Sequence, residues 1–254
     1  MSIEMIYNLS RAILMIAAML LAPVVFASDV SVPGMSIDFN SGSESNEVAT
    51  AFKILLLLTL LSLAPAIVIM MTSFTRIIIV LSMLRQAFGM QQTPPNTVLV
   101  GLTLFLTLFN MMPVFETINS EAFQPLLKNE VSSEQAFTSG MAPLRNFMIR
   151  QTNESDLKLI VELAGAKVPD EVDDIASIHI IPAFMLSELK TAFQIGFVIF
   201  LPFLLVDLVI ASILMSMGMI MVPPMMISLP VKILMFVLID GWALVVQALL
   251  SSFK

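Results

Sequence analysis

Gly89-Met90-Gln91-Gln92-Thr93-Pro94-Pro95 and Gly218-Met219-Ile220-Met221-Val222-Pro223-Pro224 share the frame G-M-x-x-x-P-P. Glycine and paired prolines punctuate helices, so each heptapeptide reads as a reversal of the chain. A long apolar arm precedes each one: Val48–Leu84, 37 residues, and Pro182–Met217, 36 residues. A returning apolar arm follows, to Phe115 in the first case and to Phe253 in the second. The expected architecture is two helical hairpins, residues 48–115 and 182–254. Their tips lie at Gly89, Pro94 and Pro95, and at Gly218, Pro223 and Pro224.

Composition sets the solvent for these hairpins. Of 254 residues, 58% are hydrophobic and 12% are charged, with a mean hydropathy of +0.96. A soluble domain is about 45–50% apolar and about 25% charged. A free-standing soluble globule is excluded, because so few polar residues cannot cover so much apolar surface. Cysteine is absent and His179 is the one histidine, which removes thiol chemistry, thiolate metal sites and multi-histidine sites. The net charge of −7 excludes non-specific nucleic-acid binding, which needs clustered Lys and Arg. The class is all-α and membrane-associated; catalysis, cofactors and metals have no recognisable seat.

The flanking segments differ in kind. Residues 1–27 read as a cleavable signal peptide: Arg11 precedes an apolar run, Ala12–Phe26, and cleavage falls after Ala27. The run is short for a span of about 20 residues, although a further membrane anchor is the alternative. Residues 28–47 read as a flexible leader rich in Ser, Gly, Asn and acids. Residues 116–188 hold 17 of the 31 charges, so 116–181 are expected to form a small helical domain outside the cytoplasm. Ser132 and Gln135 are spaced as a capping box, Asn153 caps a run ending at Gly165, and Pro182 suits a first helical turn. Arg76 and Arg85 near the first tip place the tips on the cytoplasmic side.

Two features exceed a plain four-span protein. A helical arm of 36 residues is about 54 Å long against a hydrocarbon layer of about 30 Å. Kinks at Pro65 and Pro202 would absorb part of that excess. Arg76, Asp207, Lys232 and Asp240 fall within apolar arms, where lipid penalises charge by about 2.5–3.5 kcal/mol each. Counted from Pro223-Pro224, Asp207 and Asp240 lie about 16 residues deep and Lys232 about eight. The mismatch, about 12 Å, points to a counter-charge for Lys232 on a neighbouring subunit. A single chain of two hairpins has too little interior to shelter these four charges, so a multi-subunit assembly follows.

Six of the twelve residues from Met215 to Met226 are Met. Met215, Met217, Met219 and Met221 alternate, which in an extended loop puts them on one side. Repeated by symmetry, such loops ring an axis with adaptable thioethers. Apolar filler is the alternative.

Several stretches resemble the FliP family of flagellar export-gate proteins. They are Ala64-Pro65-Ala66-Ile67-Val68-Ile69-Met70-Met71-Thr72-Ser73-Phe74-Thr75-Arg76, Leu84-Arg85-Gln86-Ala87, and Gln92-Thr93-Pro94-Pro95-Asn96. Ile181–Phe197, Met217–Pro224 and Leu229-Pro230-Val231-Lys232 are similar to it as well, in the right order from about residue 50 to the end. The resemblance implies a pentameric homo-oligomer joined by FliQ-like and FliR-like subunits. It also implies FlhA-like and FlhB-like export components and the basal-body ring as neighbours, in the bacterial inner membrane. Unfolded flagellar proteins pass through such a gate. The resemblance further implies a gasket at Met219, Ile220 and Met221, with Ile220 where a third Met is common. It makes Glu188 and Lys232 candidates for an ion pair between subunits.

A passive protein-conducting gate needs no nucleotide site, and no phosphate-binding loop is found. The rival readings are the homologous subunit of a virulence-type secretion system, an ion or proton transporter using Asp207 and Asp240, and an inert scaffold.

Overall fold

A computed structural model describes residues 44–90, 93–165, 175–219 and 221–253, with side chains from residue 52 onward. The expected signal peptide with Ala27, most of the expected leader, and Ile220 lie outside the described residues. Every regular element among those residues is helical. The α-helices are α1 (Glu44–Met70), α2 (Phe74–Ala87), α3 (Asn96–Ile118), α4 (Gln124–Leu127), α5 (Ser133–Gln151), α6 (Glu154–Leu163), α7 (Ser177–Ser216), α8 (Pro224–Leu238) and α9 (Gly241–Ser251). A π-helical turn, Asn119–Phe123, joins α3 to α4.

The chain divides into two units, one ending at Ile67 and one starting at Val68. The first contributes α1, whose apolar stretch from Phe52 to Met70 is long enough to cross a membrane. Thr59 and Ser62 donate their hydroxyls to the carbonyls of Leu55 and Thr59 (both 2.8 Å), so neither leaves a bare polar group in an apolar helix. Pro65 lies inside α1 without ending it. The expected arm Val48–Leu84 is therefore not one helix kinked at Pro65, because the break falls at residues 71–73. There the amides of Met71 and Thr72 bond three residues back, and the Thr72 hydroxyl donates to the Ile69 carbonyl at 2.7 Å.

In the second unit α2 is the central post. Ile77, Val80, Leu81 and Leu84 are fully buried at helical spacing, because α7 packs along one side of α2 and α3 along another. Phe88, at the end of α2, stacks edge-on against Phe203 of α7 (4.9 Å) and Phe236 of α8 (4.8 Å). That aromatic knot ties the end of α2 to the middle of α7 and the far part of α8. A second core joins Met111 and Val114 of α3 to Phe147 and Met148 of α5, Leu157 and Val161 of α6, and Ile180 and Phe184 of α7.

Both tips have the backbone their glycines permit. Gly89 and Gly218 adopt φ of 79° and 73°, just past α2 and α7. The amide of Gly218 bonds the Met215 carbonyl and that of Met219 bonds Leu214, which is the Schellman termination. Pro95 and Pro223 then stand at the starts of α3 and α8.

The middle segment carries the expected signals. Ser132 and Gln135 form a reciprocal capping box at α5, whereas Asn153 stands at the start of α6 without a side-chain capping bond, and α6 ends before Gly165, at φ 66°. Pro182, however, lies well inside α7 and not in its first turn, because the helix begins at Ser177. The boundary expected at 181–182 thus falls within a helix of 40 residues, which also runs through Pro202 uninterrupted. The marked bend of the second hairpin is on its return arm, where α8 and α9 meet at 67°.

Candidate functional site

Arg76, on α2, lies beneath the first core with 2% exposure, so its charge has to be met by protein. Its guanidinium donates through Nε to Glu188 Oε2 of α7 at 2.8 Å and through Nη2 to Glu188 Oε1, a two-pronged pair. Nη2 also donates to Gln151 Oε1 (3.2 Å), and Nη1 to the carbonyl and hydroxyl oxygens of Ser252 (2.9 and 3.0 Å). The cation sits 4.0 Å from the centre of the Phe253 ring. One side chain therefore fastens α5, α7 and the end of α9 to α2. Glu188 is fully buried, and this pair accounts for both of its oxygens.

Starting from Ser187, the residue before Glu188, a second network fixes α6 to α7. Ser187 donates to Asp156 Oδ2 at 2.8 Å while accepting from the amide of Asn153 at 3.0 Å, and Lys190 donates to Asp156 Oδ1. Burial works against the ionised form of Asp156. The hydrogen bond from Lys190, that from Ser187, and the Lys190 charge outweigh it and hold the carboxyl below its usual value.

Lys232 is buried on α8 and donates to Asp207 Oδ2 of α7 (2.6 Å) and to the Ala87 carbonyl that ends α2 (3.1 Å). This corrects the expectation that no partner exists within one hairpin. Residues 217–219 and 221–223 are not helical, so they add no depth. Asp207 stands nine residues from the end of α7 and Lys232 eight from the start of α8, within about 2 Å of the same level. Within the chain, Glu188 and Lys232 thus have separate partners. The inference that one chain is too thin to shelter these charges is likewise corrected for Arg76 and Lys232.

Asp240 is exposed and not buried, because it occupies the two-residue break between α8 and α9 with φ 50°. Asp207 is half-buried, and its Oδ1 has no partner. Among the described residues no hydrogen bond joins the two carboxylates. His179 is half-buried, and no cluster of three metal-ligating side chains occurs among the described residues.

At the tips, Arg85 donates to the Pro94 carbonyl (3.3 Å) and to Asn96 Oδ1, bracing the first reversal. The second reversal is bare. Met215, Met217 and Met219 are exposed, and Met221 keeps 96% of its surface. Met225 and Met226 are exposed as well. The sequence marked these residues through their alternation. Gln151 left no mark in the sequence, whereas Ser252 and Phe253, a polar and an aromatic residue at the end of an apolar arm, were a usable signal that this end packs on charge.

Comparison with known proteins adds an independent finding. The FliP family model matches residues 57–249. The chain is 53% identical to the flagellar biosynthetic protein FliP of Bacillus subtilis (strain 168), over 85% of this chain and 98% of that one. It is 48% identical to the protein of the same name from Pectobacterium carotovorum subsp. carotovorum, over 94% and 92%. Against that of Aquifex aeolicus (strain VF5) the identity is 50%, over 80% and 86%.

Proposed function

This chain belongs to the FliP family, and we propose that within the flagellar export apparatus it is a ring-forming subunit of the protein-conducting gate. The exposed methionines of the second tip carry the reading. A loop whose Met221 side chain is 96% exposed in its own chain has its natural surroundings among symmetry-related loops. There, several thioethers converge on an axis and mould to whatever passes. The long apolar helices support the same view, since the apolar window of α7 is 11% buried by the chain itself. Sister chains and the bilayer cover them.

In this reading the subunit is not an enzyme. It stands as a pentamer with FliQ-like and FliR-like subunits at the inner membrane within the basal body, beside FlhA-like and FlhB-like components. Unfolded flagellar proteins traverse the ring, and the seal is Met219, Ile220 and Met221. Residues 48–115 and 182–254 are the hairpins that build it, and 116–181 face away from the cytoplasm. The flagellar names of the relatives favour this system over a virulence-type one. Pairing of Asp207 with Lys232 disfavours a carboxylate-pair transporter.

The chain has no cysteine, so Met221→Cys introduces a unique thiol. Cross-linking through it is expected to join copies of the subunit to one another in the resting complex. With a stalled export substrate it is expected to capture that substrate instead. A thiol that reacts with neither sister subunits nor substrate refutes the gate.

A further inference from the structure

Between Asp207 and Lys232 the chain has six methionines and no charged side chain, histidine or cysteine. The hydroxyls of that stretch are turned onto their own helices: Ser212 donates to the Leu208 carbonyl (2.8 Å), Ser216 to that of Ile213 (2.7 Å) and Ser228 to that of Met225 (3.4 Å). Thioether sulfur is therefore the ligand this tip can offer. All six methionines are exposed, so they fill no core of the chain. Met219 and Met221 stand on the limb that leaves α7, and Met225 and Met226 in the first turn of α8. The Val222 amide bonds the Met219 carbonyl (3.4 Å), which folds one limb back toward the other, and α7 and α8 pack together.

Electrostatics admit a cation of low charge here. α7 ends at this reversal with the negative pole of its backbone. Pro223 and Pro224 remove two amide hydrogens that would repel a cation at the head of α8. With no anionic ligand nothing neutralises a dication, whereas neutral, polarizable sulfur suits a soft monovalent ion. We propose that this tip binds a cation of the Cu(I) and Ag(I) class, gripped by Met219 and Met221 from one limb and by Met225 and Met226 from the other. Chelation across the reversal supplies affinity that a lone thioether lacks. The inference stands on the single chain and is independent of the gate.

The test uses the full chain purified in detergent and chloride-free buffer, with Ag(I) as the redox-inert probe. After gel filtration, native mass spectrometry is expected to find about one Ag(I) per chain, and no Zn(II) when that ion is offered at the same concentration. Two paired variants locate the ion: Met219→Leu with Met221→Leu, and Met225→Leu with Met226→Leu. Leucine keeps bulk and apolar character while removing sulfur, so the melting point is expected to hold. Either pair is expected to lower Ag(I) retention by about tenfold or more, because a single limb loses the ligands held close by the other. Met111→Leu, in the buried core, is expected to leave retention unchanged. No retained Ag(I), equal retention of Zn(II), or full retention by either paired variant overturns the proposal. Absence of Ag(I) binding while Met221→Cys cross-links sister chains sinks this inference alone; the reverse outcome sinks the gate alone.

Discussion

Gly196 of α7 lies so close to Met83 of α2 that a Cβ at position 196 would stand 2.2 Å from the Met83 sulfur. α2 and α7, which share the most extensive helix–helix contact among the described residues, therefore approach at a point where one has no side chain. Small residues at such crossings are what let apolar helices come together without a hydrophobic drive between them. Gly196→Ala forces Met83 out of its place and is expected to cost about 1–3 kcal/mol. Thermal unfolding in detergent measures it. Adding Met83→Ala removes the clash, so the double variant is expected to be less destabilised than the two single losses sum to. Simple additivity would show that the helices do not meet there.

Arg76 holds four groups at once, and its role depends on the shape of the guanidinium. Arg76→Met leaves Glu188 buried and unmatched, a change that costs about 3–5 kcal/mol in comparable sites. Arg76→Lys keeps the charge but cannot grip both carboxylate oxygens while reaching Ser252 and Gln151. Accumulation of folded protein is expected to fall in the order Arg, Lys, Met. Equal accumulation of the Lys and Arg forms would reduce the fork to a point charge.

Lys232 offers a contest between two partners. Lys232→Glu places a carboxylate beside Asp207, and Asp207→Lys added to it restores opposite charges across the same 2.6 Å contact. Restored assembly, read as the mass of the detergent-purified complex, is expected from that double exchange. A pair between subunits predicts rescue by Glu188→Lys instead. That exchange also sets Lys against Arg76 inside the chain, so it is expected to rescue poorly.

Much of this arrangement could be read before any coordinates. The tips were legible because they depend on local chemistry: Gly89 and Gly218 take a backbone that other residues resist, and prolines restart the helices. The capping box at Ser132 was legible for the same reason. Arg76 with Glu188 was not, because the partners are 112 residues apart and no periodicity links α2 to α7. Asp207 was misplaced by counting the non-helical tip as helix, which hid its pairing with Lys232. The bend at Asp240 left a trace in its Asp-Gly dipeptide, a turn signal hidden within an apolar arm.

Asp156 gives the pH dependence. Its carboxyl is held below the ordinary value of 3.8, so the folded form binds its proton less readily than the unfolded chain. The resulting stabilisation is complete above the unfolded value and fades as pH falls through the lowered one. Docking of α6 on α7 is therefore expected to loosen in acid below about pH 4. Hydrogen exchange of the α6 amides measures it. Asp156→Asn is expected to exchange faster at neutral pH and to show little further change on acidification. An acid response identical in Asp156→Asn and the unaltered chain would assign the loosening to other groups.

Asp240 separates backbone from charge. Its φ of 50° lies in the left-handed region, which Asn and Gly tolerate and β-branched residues resist by about 1–2 kcal/mol. The next residue, Gly241, has no room for a side chain, because a Cβ there would lie 2.2 Å from the Phe236 ring. Together the two positions set the 67° bend that keeps α9 in place for Ser252 to meet Arg76. Asp240→Asn is expected to preserve stability and swimming motility, and Asp240→Ile to lose both. A carboxylate that carried protons would rank them differently: Asn, isosteric but without charge, would fail as completely as Ile. Motility assays on the two variants, with the purified proteins' melting points alongside, distinguish a hinge from a proton carrier.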